Sequence, residues 1–338
     1  MRIHTRIGVI ALLAGAMVYG QNRDGQSLVV TASNATANQL LVYSSNGALI
    51  QTVSTQGQGG ASGNSGGIAA QQDQLAVVNF GSKSVSLFRR NGHGFRVAQV
   101  VTTASSPVSV AFGHDHLYIL GTENVESHQM FAFGANSNPD GIVPLLKADG
   151  SAAQVGVLPN QLIITEKSNT IETVSLTAGG AVSGAATLVQ NIPANVNAPF
   201  GLITRGNNAY VTIAHANEIS LVRNGSVLTT TGSGTQMAPC WLALDGPFLF
   251  SSNSPSMTVS RYAVYGQNIV QDAAIAAKLA GSPTDIDYRA GLVAVIDGAG
   301  SVSHLSVFNV DEDGALTLKA AATINAPANG VAVIPQNE

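Results

Sequence analysis

Three short motifs in this 338-residue chain carry residue types that could do chemistry unaided. Gly63-Asn64-Ser65-Gly66-Gly67 fits the G-x-S-x-G pattern of a serine nucleophile. That pattern works at a strand-to-helix elbow that lifts the hydroxyl into the open. Here a strand-like run follows instead of a helix, so a nucleophilic Ser65 is not expected. His114-Asp115-His116 offers two imidazoles and a carboxylate to a metal. Adjacent side chains on a tight turn diverge, however, and no third ligand is in view, so a solvated turn without metal is expected. Asp311-Glu312-Asp313-Gly314 resembles the start of a calcium loop, but such a loop needs flanking helices, and here it reads as a hairpin turn. The other chemical candidates are dispersed: Asn79, His128, Glu166, Lys167, His215, Asn253, Asp285 and Asp297, with the single Cys240 beside the single Trp241. Scattered acids, bases and amides can act on a substrate or hold a ligand only if the fold gathers them.

Composition limits which folds could do so. Charged residues are 10% of the chain, hydrophobic residues 45%, and there are 36 glycines. Such glycine content with so few charges excludes a coiled coil, and the apolar fraction excludes disorder. A net charge of -4 provides no basic footprint, so no nucleic-acid partner is expected. One cysteine permits no intrachain disulfide. Arg2, His4 and Arg6 precede an apolar run over residues 7–18, and small residues Val18 and Gly20 follow. Residues 1–20 therefore read as a signal peptide, cleaved before Gln21. The run is too short to cross a bilayer and no longer one occurs, so no membrane span is expected. The expectation is an exported monomer, secreted or periplasmic, with residues 21–338 as one domain.

Internal repetition dominates that domain. Glycine turns recur at Asn46-Gly47, Asn91-Gly92, Asp140-Gly141, Gly179-Gly180, Asn224-Gly225, Tyr265-Gly266 and Asp313-Gly314, between 39 and 49 residues apart. Such pairs supply the positive φ angles of tight hairpins. Each follows a strand-like run such as Val85-Ser86-Leu87-Phe88, and a second series lies upstream, as at Leu75-Ala76-Val77-Val78. Pro107, Pro199, Pro239 and Pro283 open a further, inner strand. Seven four-stranded units of this length predict an all-β fold, a seven-bladed β-propeller of antiparallel blades. Leu28-Val29-Val30 reads as a second strand lacking a first, and residues 326–333 as a first strand with none after it. The C-terminal strand is thus expected to complete the first blade. The glycine-rich residues 56–67 read as a flexible loop between blades.

In a propeller the loops joining second to third strands gather around the mouth of the central channel. They hold Asn79, His128, Glu166, Lys167, His215, Asn253 and Asp297, and Asp285 lies at the start of an inner strand. Trp241 is placed either between blades or at the mouth as a stacking platform, whereas Cys240 reads as a small buried apolar residue. A concave polar mouth is the default site for a small molecule or glycan. No cofactor is expected.

The run Ile164-Thr165-Glu166-Lys167-Ser168-Asn169-Thr170-Ile171 resembles the T-E-K-x-x-N-T-I element of the lactonase-like seven-bladed propellers, which carry YVTN-type repeats. That family includes 6-phosphogluconolactonases and carboxymuconate cyclases. Ala198-Pro199-Phe200-Gly201, Ala238-Pro239-Cys240-Trp241 and Gly281-Ser282-Pro283-Thr284-Asp285-Ile286 follow in the family's order. The resemblance implies a lactone hydrolase or isomerase with Glu166 as general base and Lys167 or His215 steadying the oxyanion. It departs at the family's basic elements. Gly150-Ser151-Ala152-Ala153 stands for G-P-R-H, and Ser106-Pro107-Val108 falls near H-P-H, so the cations that would hold a phosphorylated or polycarboxylate substrate are missing. Two readings stay open: an exported lactonase-like hydrolase, and a non-catalytic extracellular propeller that binds a ligand or protein.

Overall fold

Second strands such as Gln74–Asn79 are buried on both sides, because each is sandwiched between its own blade's neighbours and the faces of the adjoining blades. That is why they read as unbroken apolar runs rather than alternating ones. The computed structural model describes residues 27–335 apart from 65, 93, 132, 133 and 195. Ser65 and the expected signal peptide lie outside the described residues.

The chain enters the ring in β1 (Leu28–Ala32), β2 (Gln39–Ser44) and β3 (Leu49–Ser54), three strands of the first blade. The second blade is β4 (Ile68–Gln71), β5 (Gln74–Asn79), β6 (Ser84–Asn91) and β7 (Gly94–Thr102). The third is β8 (Pro107–Gly113), β9 (His116–Gly121), β10 (Asn124–Phe131) and a split outer strand, β11 (Gly134–Ala135) and β12 (Gly141–Pro144). The fourth is β13 (Ala152–Val157), β14 (Gln161–Glu166), β15 (Thr170–Leu176) and β16 (Val182–Leu188). The fifth is β17 (Pro199–Arg205), β18 (Asn208–Ile213), β19 (Glu218–Arg223) and β20 (Ser226–Gly232). The sixth is β21 (Pro239–Asp245), β22 (Phe248–Asn253), β23 (Thr258–Tyr265) and β24 (Asn268–Lys278). The seventh is β25 (Ser282–Arg289), β26 (Leu292–Ala299), β27 (Val302–Val310) and β28 (Leu316–Ile324). The chain ends in β29 (Asn329–Ile334), which pairs antiparallel with β1 and completes the first blade in the order β29-β1-β2-β3. The fold is thus a seven-bladed β-propeller closed by its C-terminal strand.

Inner strands β29, β4, β8, β13, β17, β21 and β25 form a ring, each packed on the next. Their channel-facing edges expose unpaired amides, which neighbouring blades satisfy. Gln154 Oε1 accepts from Leu202 N at 2.6 Å, and Ser109 Oγ accepts from Val155 N at 3.3 Å. Asp285 Oδ2 accepts from Val331 N at 3.3 Å, and Asp287 Oδ2 from Val333 N at 2.8 Å. Gly201 lets two inner strands touch: a Cβ there would lie 2.2 Å from the Cys240 carbonyl oxygen.

Asp287 faces the channel cavity, and burial pushes its carboxyl up to about 6. Because the folded-state value exceeds the unfolded one, the folded protein holds the extra proton, and stability falls as pH rises through about 4 to 6. Asp287→Asn keeps an acceptor for Val333 and removes that loss. It is expected to raise unfolding stability by up to about 3 kcal/mol near pH 7 and to change little at pH 4, measured by urea titration.

One turn differs from expectation. Asp140-Gly141 does not form the third hairpin; β10 pairs with β11 at its end and with β12 along Asn124–Ser127. Pro139 donates no amide and interrupts the outer ladder. Asp140 stays at the surface and its carboxylate reaches back to the blade, accepting from Ser127 Oγ at 2.6 Å, with His116 Nε2 at 2.7 Å. Burial pushes its carboxyl up, but these bonds outweigh that effect and hold it below the ordinary range. His116 is therefore buried within the blade, not solvated on a turn; its Nδ1 lies 2.7 Å from the His114 carbonyl oxygen.

Candidate functional site

The second-to-third-strand loops do converge on one face, but that face is covered. Residues 61–64, 66 and 67 lie across the channel mouth as parts of a strap instead of looping freely between blades. Asn34 Nδ2 and Asn329 Nδ2 donate to the Ala61 carbonyl at 2.8 and 3.2 Å. Lys167 Nζ donates to the Gly63 carbonyl at 2.6 Å, and Trp241 Nε1 to the Asn64 carbonyl at 3.0 Å. The Asn64 amide donates to the Val108 carbonyl and accepts from Asn329 Nδ2 at 2.9 Å. The Gly66 carbonyl accepts from Val110 N at 2.8 Å. These anchors come from the first, third, fourth and sixth blades. Gly60, Gly63 and Gly66 hold φ of 104°, 61° and 65°, angles that L side chains rarely adopt.

Trp241 is 6% exposed and meets the Phe200 ring edge-on, with centroids 5.3 Å apart. It is a buttress beneath the strap, not an open stacking platform. Lys167 Nζ sits 5.8 Å from the Phe200 ring centre, and burial lowers its pKa. Its ammonium is committed to the strap. His215 is exposed in a short 3-10 turn (Ala214–Ala216) in the fifth blade, whereas Glu166 is buried in the fourth.

Four other expected site residues occupy one repeat-equivalent position near the end of the second strand, and all four side chains lie inside the ring wall. Glu166, Asn253 and Asp297 pair with Ala152, Pro239 and Pro283 near the start of the inner strand, and Asn79 ends its own second strand. Asn79 donates to Ser86 Oγ at 2.7 Å and accepts from Asn38 Nδ2 at 3.0 Å. Asn253 donates to Ser260 Oγ at 2.8 Å and Thr258 Oγ1 at 3.1 Å. Asp297 lies 2.8 Å from His304 Nδ1 and accepts from Ala280 N at 3.3 Å. These bonds brace the loop between strands and leave little for a ligand. His128 is likewise fully buried between Glu126 Oε1 (3.2 Å) and the Asn136 carbonyl (2.9 Å). Asp285 lines the channel, where it caps Val331.

Glu166 differs from its repeat partners. It is fully buried on the face of the fourth blade that packs against the third, and neither carboxyl oxygen has a partner at full hydrogen-bond geometry, although the Lys147 amide and the Glu172 carboxyl both act on it. Glu172 lies diagonally across the ladder on that face, since Ile164 pairs with Glu172 and Glu166 with Thr170. Glu172 Oε2 accepts from Leu146 N at 2.9 Å, and its Oε1 is unpartnered. Desolvation first, and then the Glu172 and Asp149 charges, push the Glu166 carboxyl well above the usual carboxylate range. Desolvation raises Glu172 as well.

Two cavities lie along the ring axis or beside the strap. One of about 240 Å³ is the channel itself, walled by inner-strand residues including Gln154, Asp285 and Asp287. The other, about 200 Å³, opens beside the strap and is lined by Asn34, Asn64, Asn329, Thr284, Ser303 and Trp241, among others. Its polar groups are all neutral. The sequence reading missed Asn64, Asn329 and Glu172. Only Glu172 left a trace, as a carboxylate inside the apolar run Ile171-Glu172-Thr173-Val174. Among the described residues no group of three or more His, Cys, Asp and Glu side chains converges, and no helix is long and apolar enough to cross a membrane.

No family model matches the chain, and no curated protein matches it. Solved structures do. A candidate 6-phosphogluconolactonase from Bacteroides fragilis superposes with a TM-score of 0.68 at 13% identity, covering 93% of this chain and 99% of that one. A functionally unknown protein from Desulfotomaculum acetoxidans gives 0.67 at 14%, covering 92% and 100%. The WD40 propeller domain of Doa1 gives 0.55 at 16%, covering 77% and 82%. At these identities the likeness carries the propeller fold, which hosts many unrelated activities.

Proposed function

We propose that this protein is a non-catalytic binding propeller on a lactonase-like scaffold, taking a small, uncharged, hydroxyl-rich ligand such as a saccharide at the strap-side cavity. The observation that carries this reading is the full burial of Glu166 between blades, away from any cavity lining. A general base must come within hydrogen-bond reach of the proton it removes. The cavity beside the strap supports the ligand class. Its lining carries no charged side chain: the indole and asparagine N–H groups brace the strap, which leaves hydroxyl and carbonyl oxygens to accept from a neutral polyol, and the nearest amine, Lys167, already binds Gly63. A phosphorylated sugar acid would find no free cation there. The N-terminal pattern supports export, which would put the site in the periplasm or the medium.

Titrating neutral oligosaccharides while following Trp241 fluorescence tests the reading. Saturable change with a neutral sugar and none with phosphorylated sugar acids is expected. Failure to bind any member of a glycan array would overturn the ligand class.

A second reading, lactone hydrolysis, is favoured by the raised Glu166 carboxyl and by the likeness to candidate 6-phosphogluconolactonases. It requires the strap to lift and the third and fourth blades to part. Wild-type turnover of neutral lactones that Glu166→Gln abolishes would establish it; the expected result is no turnover by either.

A further inference from the structure

We propose that Glu166 and Glu172 hold a hard divalent cation, calcium foremost, between the third and fourth blades. At the position of Glu166, three other blades place the polar residues Asn79, Asn253 and Asp297, and each of those side chains is hydrogen-bonded. Of these four, Glu166 alone has no partner at full hydrogen-bond geometry on either oxygen, with only the Lys147 amide and the Glu172 carboxyl near enough to act on it, although it is 0% exposed. Glu172, also 0% exposed, leaves a third oxygen bare on the same face.

Buried polar groups in folded proteins are almost always satisfied, and an exception points to a water or ion. No lysine or arginine among the described residues pairs with either acid. Lys167, next in sequence, turns away to the strap. The 145–151 connection closes over the pair: Leu146 N holds one Glu172 oxygen, and Lys167 N donates to the Ser151 carbonyl at 2.8 Å. That leaves three buried carboxyl oxygens without a full partner on one face of the fourth blade. Two carboxylates balance a divalent charge, and oxygen-only donors select a hard ion. Calcium tolerates irregular coordination better than magnesium, which demands a near-ideal octahedron. Main-chain carbonyls or waters would complete the sphere.

The inference does not depend on the ligand proposed above, and its test is separate. The purified protein is stripped with a chelator and dialysed against calcium chloride, and the bound metal is counted. One ion per chain is expected, with the unfolding midpoint raised by about 5 °C at a hundredfold excess over Kd. The double variant Glu166→Gln/Glu172→Gln replaces both acids with amides of the same shape and should lose both the ion and the shift. If that variant does not fold, Glu172→Gln alone should still weaken calcium binding at least tenfold. Absence of bound calcium and of any midpoint shift in the wild type would overturn the proposal, and so would an ion retained by the variants.

Discussion

A chain lacking residues 329–338 is expected not to form a folded monomer. β29 is six residues long and buried throughout. Its side chains serve two cores: Ala332 and Ile334 pack with the second blade's residues Ile68, Leu75 and Val77, while Val331 and Val333 pack with the seventh blade's Ala294, Ile296 and Leu305. Losing Val331, Val333 and Ile334 alone forfeits about 1.5–3 kcal/mol each. The sum rivals the roughly 5–15 kcal/mol that holds a typical domain folded. Deletion also exposes the edge of β1 and strips Asp285 and Asp287 of the amides they cap. Circular dichroism and size-exclusion chromatography of the truncated chain read the result. Addition of a synthetic 329–335 peptide should restore structure in proportion to its concentration. A truncated chain with an unchanged unfolding midpoint would contradict ring closure by this strand.

Trp241→Ala is expected to destabilise by about 3–5 kcal/mol, the usual range for deleting a buried large aromatic. The substitution removes three things together: the indole donor to Asn64, the edge-on contact with Phe200, and volume shared with Ile286 and Phe250 in the core joining the sixth and seventh blades. Trp241→Phe keeps most of the volume and loses only the donor, so it should cost about 1–2 kcal/mol. The two variants separate the packing role from the strap anchor. Urea unfolding followed by far-ultraviolet circular dichroism measures both, since the variants lack the fluorophore.

The ring was legible because its causes are local. Glycine pairs mark the hairpins, prolines open inner strands, and apolar runs mark strands buried on both faces; each signal recurs at blade spacing. The third blade departs where a single surface carboxylate, Asp140, bonds the buried Ser127 and His116 instead of closing a hairpin turn. The site was less legible for a geometric reason. Loop position around the mouth can be read from the repeat, but side-chain direction at the strand end cannot. Asn79, Glu166, Asn253 and Asp297 sit at the mouth in sequence and point into the wall in space. The strap was harder still. Its hydrogen bonds join Asn64 to Val108, Trp241 and Asn329, partners far apart along the chain, and a glycine-rich stretch has no periodicity to announce them.

Everything proposed about the mouth depends on its being closed over Trp241, and the chain's one tryptophan reports on that directly. Acrylamide quenching of native Trp241 emission should be several-fold weaker than in urea, with a blue-shifted maximum, and it should rise toward the unfolded value when Asn64→Gly loosens the strap. Quenching as efficient in the native protein as in the unfolded chain would mean an open mouth, and would contradict the account.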